Sequence, residues 1–311
     1  MDSEIESVAR DVLRKLFVKN DATPTMDQLN EFGWSELSEE DPVGARRLLF
    51  REQAVARVEV GALDHHMIER LGSADVLPNA VLHSAGTGSR RERDAVEVDG
   101  VVMSPAPLKS LLVAVDEEAY VVAASGLETE RVEGLDPTRG LRRVSGRAEI
   151  VASLDAEAWE GALGLGRRCL AHENIALARA MFDLAHEHVQ SRIAFGRTLS
   201  SYQAVKHRLA DVRIAIDAAE VVAQAADADE SSLTSACAKL AADQSAGVAA
   251  RQSLQVCGAM GFTWEFDLHT YLKRALQNQA LLGRPAELER EIGQRLANDF
   301  TRIGSWDSPA R

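Results

Sequence analysis

Apolar residues recur every three or four positions at both ends of this chain, which is the spacing of one buried face of an α-helix. Two such series stand out in the first quarter. They are Ile5, Val8, Val12, Leu13 and Leu16, followed by Leu48, Leu49, Ala54, Val58 and Leu63. The pattern predicts a helical region over residues 1–82.

The period changes over residues 83–151, where short apolar runs are separated by turn residues. Residues 96–98 read Val-Glu-Val and residues 101–103 read Val-Val-Met, and the two segments flank Asp99-Gly100. This dipeptide favours the positive φ angles of a two-residue hairpin turn, so we expect a hairpin there. Further strands are predicted at residues 111–115, 120–123 and 141–150. The region is expected to form a small β domain.

From residue 152 onward the pattern is again helical and rich in alanine. One stripe has the three- and four-residue spacing of a packed helix face. Its members are Tyr202, Val205, Leu209, Val212 and Ile216. Asp155 suits the N-cap of the first helix and Pro285 the first turn of the last. The sequence predicts a mainly α protein with a middle β domain and a C-terminal four-helix bundle over residues 152–311.

Composition excludes some classes of function. Asp and Glu number 48 against 35 Lys and Arg, giving a formal charge of −13, which argues against a nucleic-acid partner. The three cysteines are widely spaced and predict neither a disulfide framework nor a zinc site. His172, His186, His188 and His207 fall on predicted helices without metal-ligand spacing, so no metal site is expected.

Cellular location is predicted from two further features. The N-terminus is acidic and amphipathic, unlike a signal peptide. No apolar run approaches the roughly 20 residues that a membrane-spanning helix needs. We therefore expect no membrane span and a cytoplasmic location.

Two stretches carry the most specific pattern. Residues 192–211 read RIAFGRTLSSYQAVKHRLAD, and residues 251–275 read RQSLQVCGAMGFTWEFDLHTYLKRA. Glycines in the second stretch permit close approach of a ligand or another backbone. Together the stretches resemble the C-terminal domain of the flavin-dependent acyl-CoA dehydrogenases. The corresponding patterns there are R-x-x-F-G-x-x-x-x-x-F/Y-Q-x-x-x-x-x-L-A-D and Q-x-x-G-G-x-G-F/Y.

The resemblance implies FAD as the cofactor, held partly across a subunit interface. The residues that match the family's FAD-holding positions are Arg192, Phe195, Gln203, Gln255 and Gly258, whereas Ala259 replaces the second glycine. An arginine suits a pyrophosphate because its planar fork makes paired charge-assisted bonds. Without the family pattern, Phe195 would be expected in a core and Arg192 as an ordinary surface charge.

The catalytic base implied by the family is missing. The family's glutamate comes from one of two positions, which fall on Leu282 and Gly166 in this chain. Arg167 is retained and is a candidate substrate or structural contact. Glu265 is the remaining candidate base, expected in a dry setting beside Trp264, although support of the turn is the favoured role. A base for this chemistry must be desolvated to raise its pKa.

The middle region also looks reduced. The family's flavin-side loop has only a remnant at residues 85–89, and residues 83–151 contain no tryptophan. The resemblance is strongest to short subunits of bacterial enzymes that desaturate CoA thioesters of sterol side chains.

These features predict a subunit of a heteromeric, FAD-dependent acyl-CoA dehydrogenase. A longer homologue would supply the base, an acyl-CoA thioester would be the substrate, and an electron-transfer flavoprotein would take the electrons. Two alternatives stay open: a self-sufficient homotetramer that uses Glu265, and a flavin-free assembly subunit.

Overall fold

The structure, a computed structural model, describes residues 2–19, 24–72, 76–84, 88–104, 106–116 and 118–303. Its N-terminal helices pack around a core that includes Phe50, Leu63 and Met67. The apolar spacing of the sequence accounts for them. They are α1 (Ser3–Lys19), α2 (Met26–Asn30), α3 (Trp34–Glu40), α4 (Pro42–Ala56) and α5 (Ala62–Glu69).

An eight-stranded sheet follows, with strands in the order β1-β5-β6-β8-β4-β2, β3 pairing with β4 and β7 with β8. Among the strands that the structure describes, only β1 and β5 pair in parallel. The strands are β1 (Ala80–Val81), β2 (His83–Ser84), β3 (Arg90–Glu92), β4 (Ala95–Val102), β5 (Ser110–Val115), β6 (Glu118–Ala123), β7 (Glu128–Arg131) and β8 (Arg142–Leu154). Of the predicted flavin-side loop remnant, residues 85–87 lie outside the described residues.

The predicted hairpin at Asp99-Gly100 is wrong. Both residues lie inside β4, where they pair with Ser145 and Val144 of β8. A Cβ at Gly100 would lie 2.6 Å from the carbonyl oxygen of His83 on the neighbouring strand. The glycine is therefore needed for the close approach of two strands rather than for a turn.

The C-terminal region is a helical bundle, as predicted. Its helices are α6 (Ala156–Ser191), α7 (Gln203–Asp229), α8 (Ser232–Cys257), α9 (Leu268–Ala280) and α10 (Pro285–Ile303). Asp155 caps α6 by accepting a hydrogen bond from the Ala158 N–H at 2.7 Å. α6 packs on α7, α8 and α9, and α10 packs on α8. The three cysteines are free thiols.

A buried ion-pair network joins the helical and β regions. Arg139, which precedes β8, pairs with Glu59 and with Glu173 of α6, and Arg274 of α9 pairs with the same Glu173 at 2.6 Å. Within α8, Lys239 pairs with Asp243 at 2.6 Å, and both side chains are fully buried. No helix in the described ranges has the length and apolar character to cross a membrane. The region boundaries after residues 82 and 151 stay predictions.

Candidate functional site

The two sequence motifs meet at one end of the bundle, because α7 begins where its neighbour α8 ends. The Arg208 guanidinium donates a hydrogen bond to Gln252 Oε1 at 2.6 Å, linking the two helices there. Near the end of α6, the ring centroid of His188 lies 5.8 Å from that of Phe266. Burial, together with the charge of Arg192, lowers the pKa of His188.

A short hairpin connects α6 to α7 and presents Phe195. Its strands β9 (Ile193–Ala194) and β10 (Arg197–Thr198) pair around Phe195 and Gly196, whose φ angles are +53° and +82°. This turn carries the Phe195 ring outward, leaving the residue 96% exposed. Without the family pattern, Phe195 would be expected in the hydrophobic core, and that expectation is wrong.

Tyr202 stabilises this hairpin through two contacts. Its hydroxyl donates to the Ala194 carbonyl at 3.0 Å, and the Arg197 guanidinium lies 4.0 Å from its ring centroid. Such cation–π contacts stabilise by about 0.5–1 kcal/mol at exposed sites. The position of Phe195 is therefore fixed by contacts within the chain.

The polar members of the first motif flank the hairpin. Arg192 ends α6 and is exposed, and its guanidinium has no hydrogen-bond or ion-pair partner among the described residues. Gln203 is the first residue of α7 and is also exposed. Both side chains are available to a ligand that approaches from outside the chain.

The second motif forms the end of α8. Gly258 follows the last helical residue with φ +59° and ψ −138°, and nothing lies within 4 Å of where its Cβ would be. Gln255, less than one turn earlier, is exposed. Gly261 is buried instead, and a Cβ there would lie 3.2 Å from the Leu254 side chain. Gly258 thus offers open backbone, whereas Gly261 permits close packing.

The expected dry setting of Glu265 is wrong. Trp264 is 80% exposed and Glu265 is also exposed. The indole packs edge-on against His269 at 4.8 Å between centroids, and Lys273 Nζ lies 4.6 Å from its ring centroid. These contacts cover the indole only in part, so this chain alone does not desolvate the neighbouring carboxylate.

The two positions implied for the base are in contact with each other. A Cβ at Gly166 would lie 2.6 Å from Leu282 Cδ1 and 2.8 Å from Met67 Sδ. Leu282 itself has a left-handed backbone, with φ +54°. Apolar atoms therefore fill the space that a carboxylate at either position would take.

Arg167 lies beside this apolar corner and is buried. Its guanidinium makes a two-pronged ion pair with Glu291, at 2.9 and 2.8 Å, and its Nε donates to the Leu282 carbonyl at 3.0 Å. The geometry favours its structural role over substrate contact. Sequence reasoning missed Glu291 and Met67, because neither lies near Arg167 or Gly166 along the chain.

The exposed groups at the end of the bundle suit a nucleotide cofactor. A free guanidinium, two amide side chains, an aromatic face and an unshielded glycine backbone can hold a pyrophosphate and an adenine. All are turned to the surface, so such a ligand would lie against the chain rather than inside it. This is a mainly helical protein whose bundle leaves the five predicted cofactor-binding residues exposed at one end.

Comparison with known proteins finds similarity to one family over part of the chain. Residues 157–297 match the acyl-CoA dehydrogenase, C-terminal domain. The acyl-CoA dehydrogenase IpdE2 of Mycobacterium tuberculosis is 35% identical over 199 residues, which are 62% of this chain and 58% of that protein. The chain spans about half the length of the curated relatives it matches.

Solved structures show the same fold over nearly the whole chain. A steroid ACAD variant, Tcur3481-Tcur3483, superposes with a TM-score of 0.71 at 20% identity, covering 96% of this chain and 99% of that one. The ChsE4-ChsE5 complex from Mycobacterium tuberculosis gives 0.70 at 17% identity, covering 100% and 99%. The fold is that of acyl-CoA dehydrogenases, and within it residues 157–297 match the C-terminal domain of that family.

Proposed function

We propose that this chain is one subunit of a heteromeric, FAD-dependent acyl-CoA dehydrogenase, in which a longer homologue supplies the catalytic base. The apolar contact between Leu282 and Gly166 carries this proposal. Removal of a weakly acidic α-proton from a CoA thioester needs a carboxylate at the reacting carbon. Neither family position offers one here.

The cofactor contacts of this proposal come from the exposed end of the bundle. Arg192 would pair with the pyrophosphate, Phe195 would stack on the adenine, and the Gln203 and Gln255 amides would donate to the nucleotide. When bound, FAD supplies the acceptor for the substrate's hydride, a chemistry that side chains lack. Because these groups all face outward, the proposal places FAD between this chain and its partner.

The names of the structural relatives support the substrate part of the proposal, and the electron acceptor is the one that the family resemblance implies. The names of the structural relatives include a steroid ACAD and a two-protein complex, ChsE4-ChsE5. We infer a CoA thioester with a steroid side chain as substrate and an electron-transfer flavoprotein as acceptor. Arg167 is left out of substrate binding, because Glu291 and a backbone carbonyl occupy its guanidinium.

Co-expression tests this assignment. The chain alone and the chain with its longer homologue would be purified and compared for flavin absorbance, native mass and turnover of acyl-CoA. We expect FAD and activity only in the complex. Robust turnover by the single chain would favour a homotetramer that uses its own carboxylate. A complex without flavin absorbance and without turnover would favour the flavin-free assembly subunit.

A further inference from the structure

The end of α5 borders a polar cavity that the proposed dehydrogenase function does not use. The cavity measures about 460 Å³ and lies among α3, α4, α5 and α6. Its polar lining includes Asn30, Ser35, Ser38 and Glu39. A polar space of this size has room for water, which is the usual source of additional ligands for a bound metal ion.

Three side chains of types that commonly bind metals line this cavity, all from the last two turns of α5. The ligand atoms of His65, His66 and Glu69 all lie within 4.8 Å of one another. The Glu69 carboxylate is 3.9 Å from His65 Nε2 and 3.5 Å from His66 Nδ1. Helical geometry explains the grouping, because residues three and four apart share a face.

His66 has an unsatisfied polar group. The residue is only 8% exposed, and its Nε2 is buried without a hydrogen-bond partner among the described residues. Buried imidazole nitrogens are normally hydrogen-bonded or bound to metal, since an unpaired one costs about 1–3 kcal/mol. The nitrogen that faces Glu69, at 3.5 Å, is Nδ1, so Nδ1 is the atom that would bind an ion and the unpaired Nε2 is a separate feature of the ring.

The local charges are compatible with a cation. The last carbonyls of a helix carry partial negative charge, and His66 and Glu69 lie in the last turn of α5. Of the arginines that line the cavity, Arg70 is exposed, and Arg46 lies 3.6 Å from Asp227, a carboxylate that also contacts Arg168 and His172.

We propose that His65, His66 and Glu69 form a binding site for a divalent transition metal of the zinc class. Two imidazoles and one carboxylate are a donor set that zinc accepts, with water from the cavity as a further ligand. Magnesium and calcium prefer oxygen ligands alone and should bind far more weakly. The ion would tie both histidines and Glu69 together at the end of α5.

Metal titration of the full chain, or of its complex, tests the site. The protein would be treated with a chelator and titrated with Zn²⁺ by calorimetry, and with Co²⁺ by visible absorbance. We expect one zinc per chain and a rise in melting temperature with zinc, because the ion binds only the folded state. Mg²⁺ should give neither signal.

Variants at the two more accessible ligands keep the test independent of folding. His65→Gln and Glu69→Gln should each weaken zinc binding by at least about tenfold and remove the zinc-dependent melting shift. His207→Gln, which alters an exposed histidine on α7, is the matched control and should bind as the natural chain does. Equal zinc affinity in all four proteins, or no saturable binding by the natural chain, would overturn the proposal. Neither outcome depends on flavin or dehydrogenase activity.

Discussion

The corner around Gly166 and the outer end of the bundle are built in opposite ways. At the corner, the side chains of Leu282 and Met67 pack against Gly166, and the Arg167 guanidinium is paired with the Glu291 carboxylate. At the outer end, Arg192 has no partner among the described residues and Phe195 is 96% exposed. The chain thus fills the corner where the resemblance predicts a catalytic base, and leaves exposed the groups that the resemblance predicts to hold a nucleotide.

This contrast shows where internal packing suffices and where a partner is needed. The closed corner rests on a buried polar network: Asn278 donates to Asn174, which in turn donates to Asp243. Lys239 lies between Asp243 and the carbonyl of Gly283, at 2.6 and 3.4 Å. A site so heavily supported is a structural element, whereas an exposed set of polar and aromatic groups stays incomplete until something binds.

The largest effect is expected beneath the closed corner. Glu173→Gln removes the charge that pairs with both Arg139 and Arg274, leaving two buried guanidinium groups short of a partner. We expect a loss of about 3–5 kcal/mol in the free energy of unfolding, measured by chemical denaturation. Glu220→Gln, which breaks only the partly exposed pair with Arg179, is the control and should cost about 0.2–1 kcal/mol.

The same variant should change the pH dependence of stability. Burial acts to raise the pKa of Glu173, yet Arg139 and Arg274 together hold that pKa below its ordinary value. This stabilisation is therefore complete above the unfolded-state pKa of about 4.3 and is lost as the pH falls through the lower folded-state pKa. Identical acid-unfolding slopes for the variant and the natural chain would contradict this assignment.

A smaller effect is expected at the open end. Arg192→Ala in the co-expressed complex should weaken FAD retention by about 1.5–3 kcal/mol, because a charge-assisted bond is lost. The free energy of unfolding should change by less than about 0.5 kcal/mol, since the side chain is exposed. Arg213→Ala, on the exposed face of α7, should leave flavin content unchanged. Equal flavin loss in both variants would remove the special role of Arg192.

How closely the side chains pack around Gly166 can be tested by comparing two glycine-to-alanine substitutions. Gly166→Ala inserts a methyl group against Leu282 and Met67 and should cost about 1–3 kcal/mol in the free energy of unfolding. Gly247→Ala, in α8 with nothing within 4 Å of its Cβ, should instead stabilise by about 0.4–1 kcal/mol. Thermal melts of the pair compare the two sites directly. A stabilising Gly166→Ala would mean that the corner has room for a ligand.

The smallest effect is expected at Glu265. Glu265→Gln should alter the free energy of unfolding by less than about 0.5 kcal/mol, because the side chain is exposed. Turnover of acyl-CoA by the complex should also be unchanged. Abolished turnover with normal folding would restore this residue as the base and, with it, the self-sufficient enzyme.

The helices were predictable because their signals are local. Asp155 caps α6 and Pro285 opens α10 where the sequence predicts, and the α7 stripe buries Leu209, Val212 and Ile216. The Asp99-Gly100 prediction failed since a dipeptide carries no information about which strand lies opposite.

The candidate site was predictable only in part. The residues of the two short motifs could be identified from the sequence, and the structure leaves them exposed at one end of the bundle. The contact of Gly166 with Leu282 joins residues more than a hundred positions apart, and no local spacing reveals it. The exposure of Trp264 likewise depends on packing between distant helices.

The hairpin that carries Phe195 has a consequence for how the protein is made. Under the proposed assembly, copies of this chain made in excess of the partner would leave the Phe195 ring exposed to solvent. Exposed apolar surface of this kind favours aggregation. Synthesis of both polypeptides in step would bury that surface as soon as it forms. Surplus copies should clump or be degraded, so the yield of usable protein should follow the scarcer of the two.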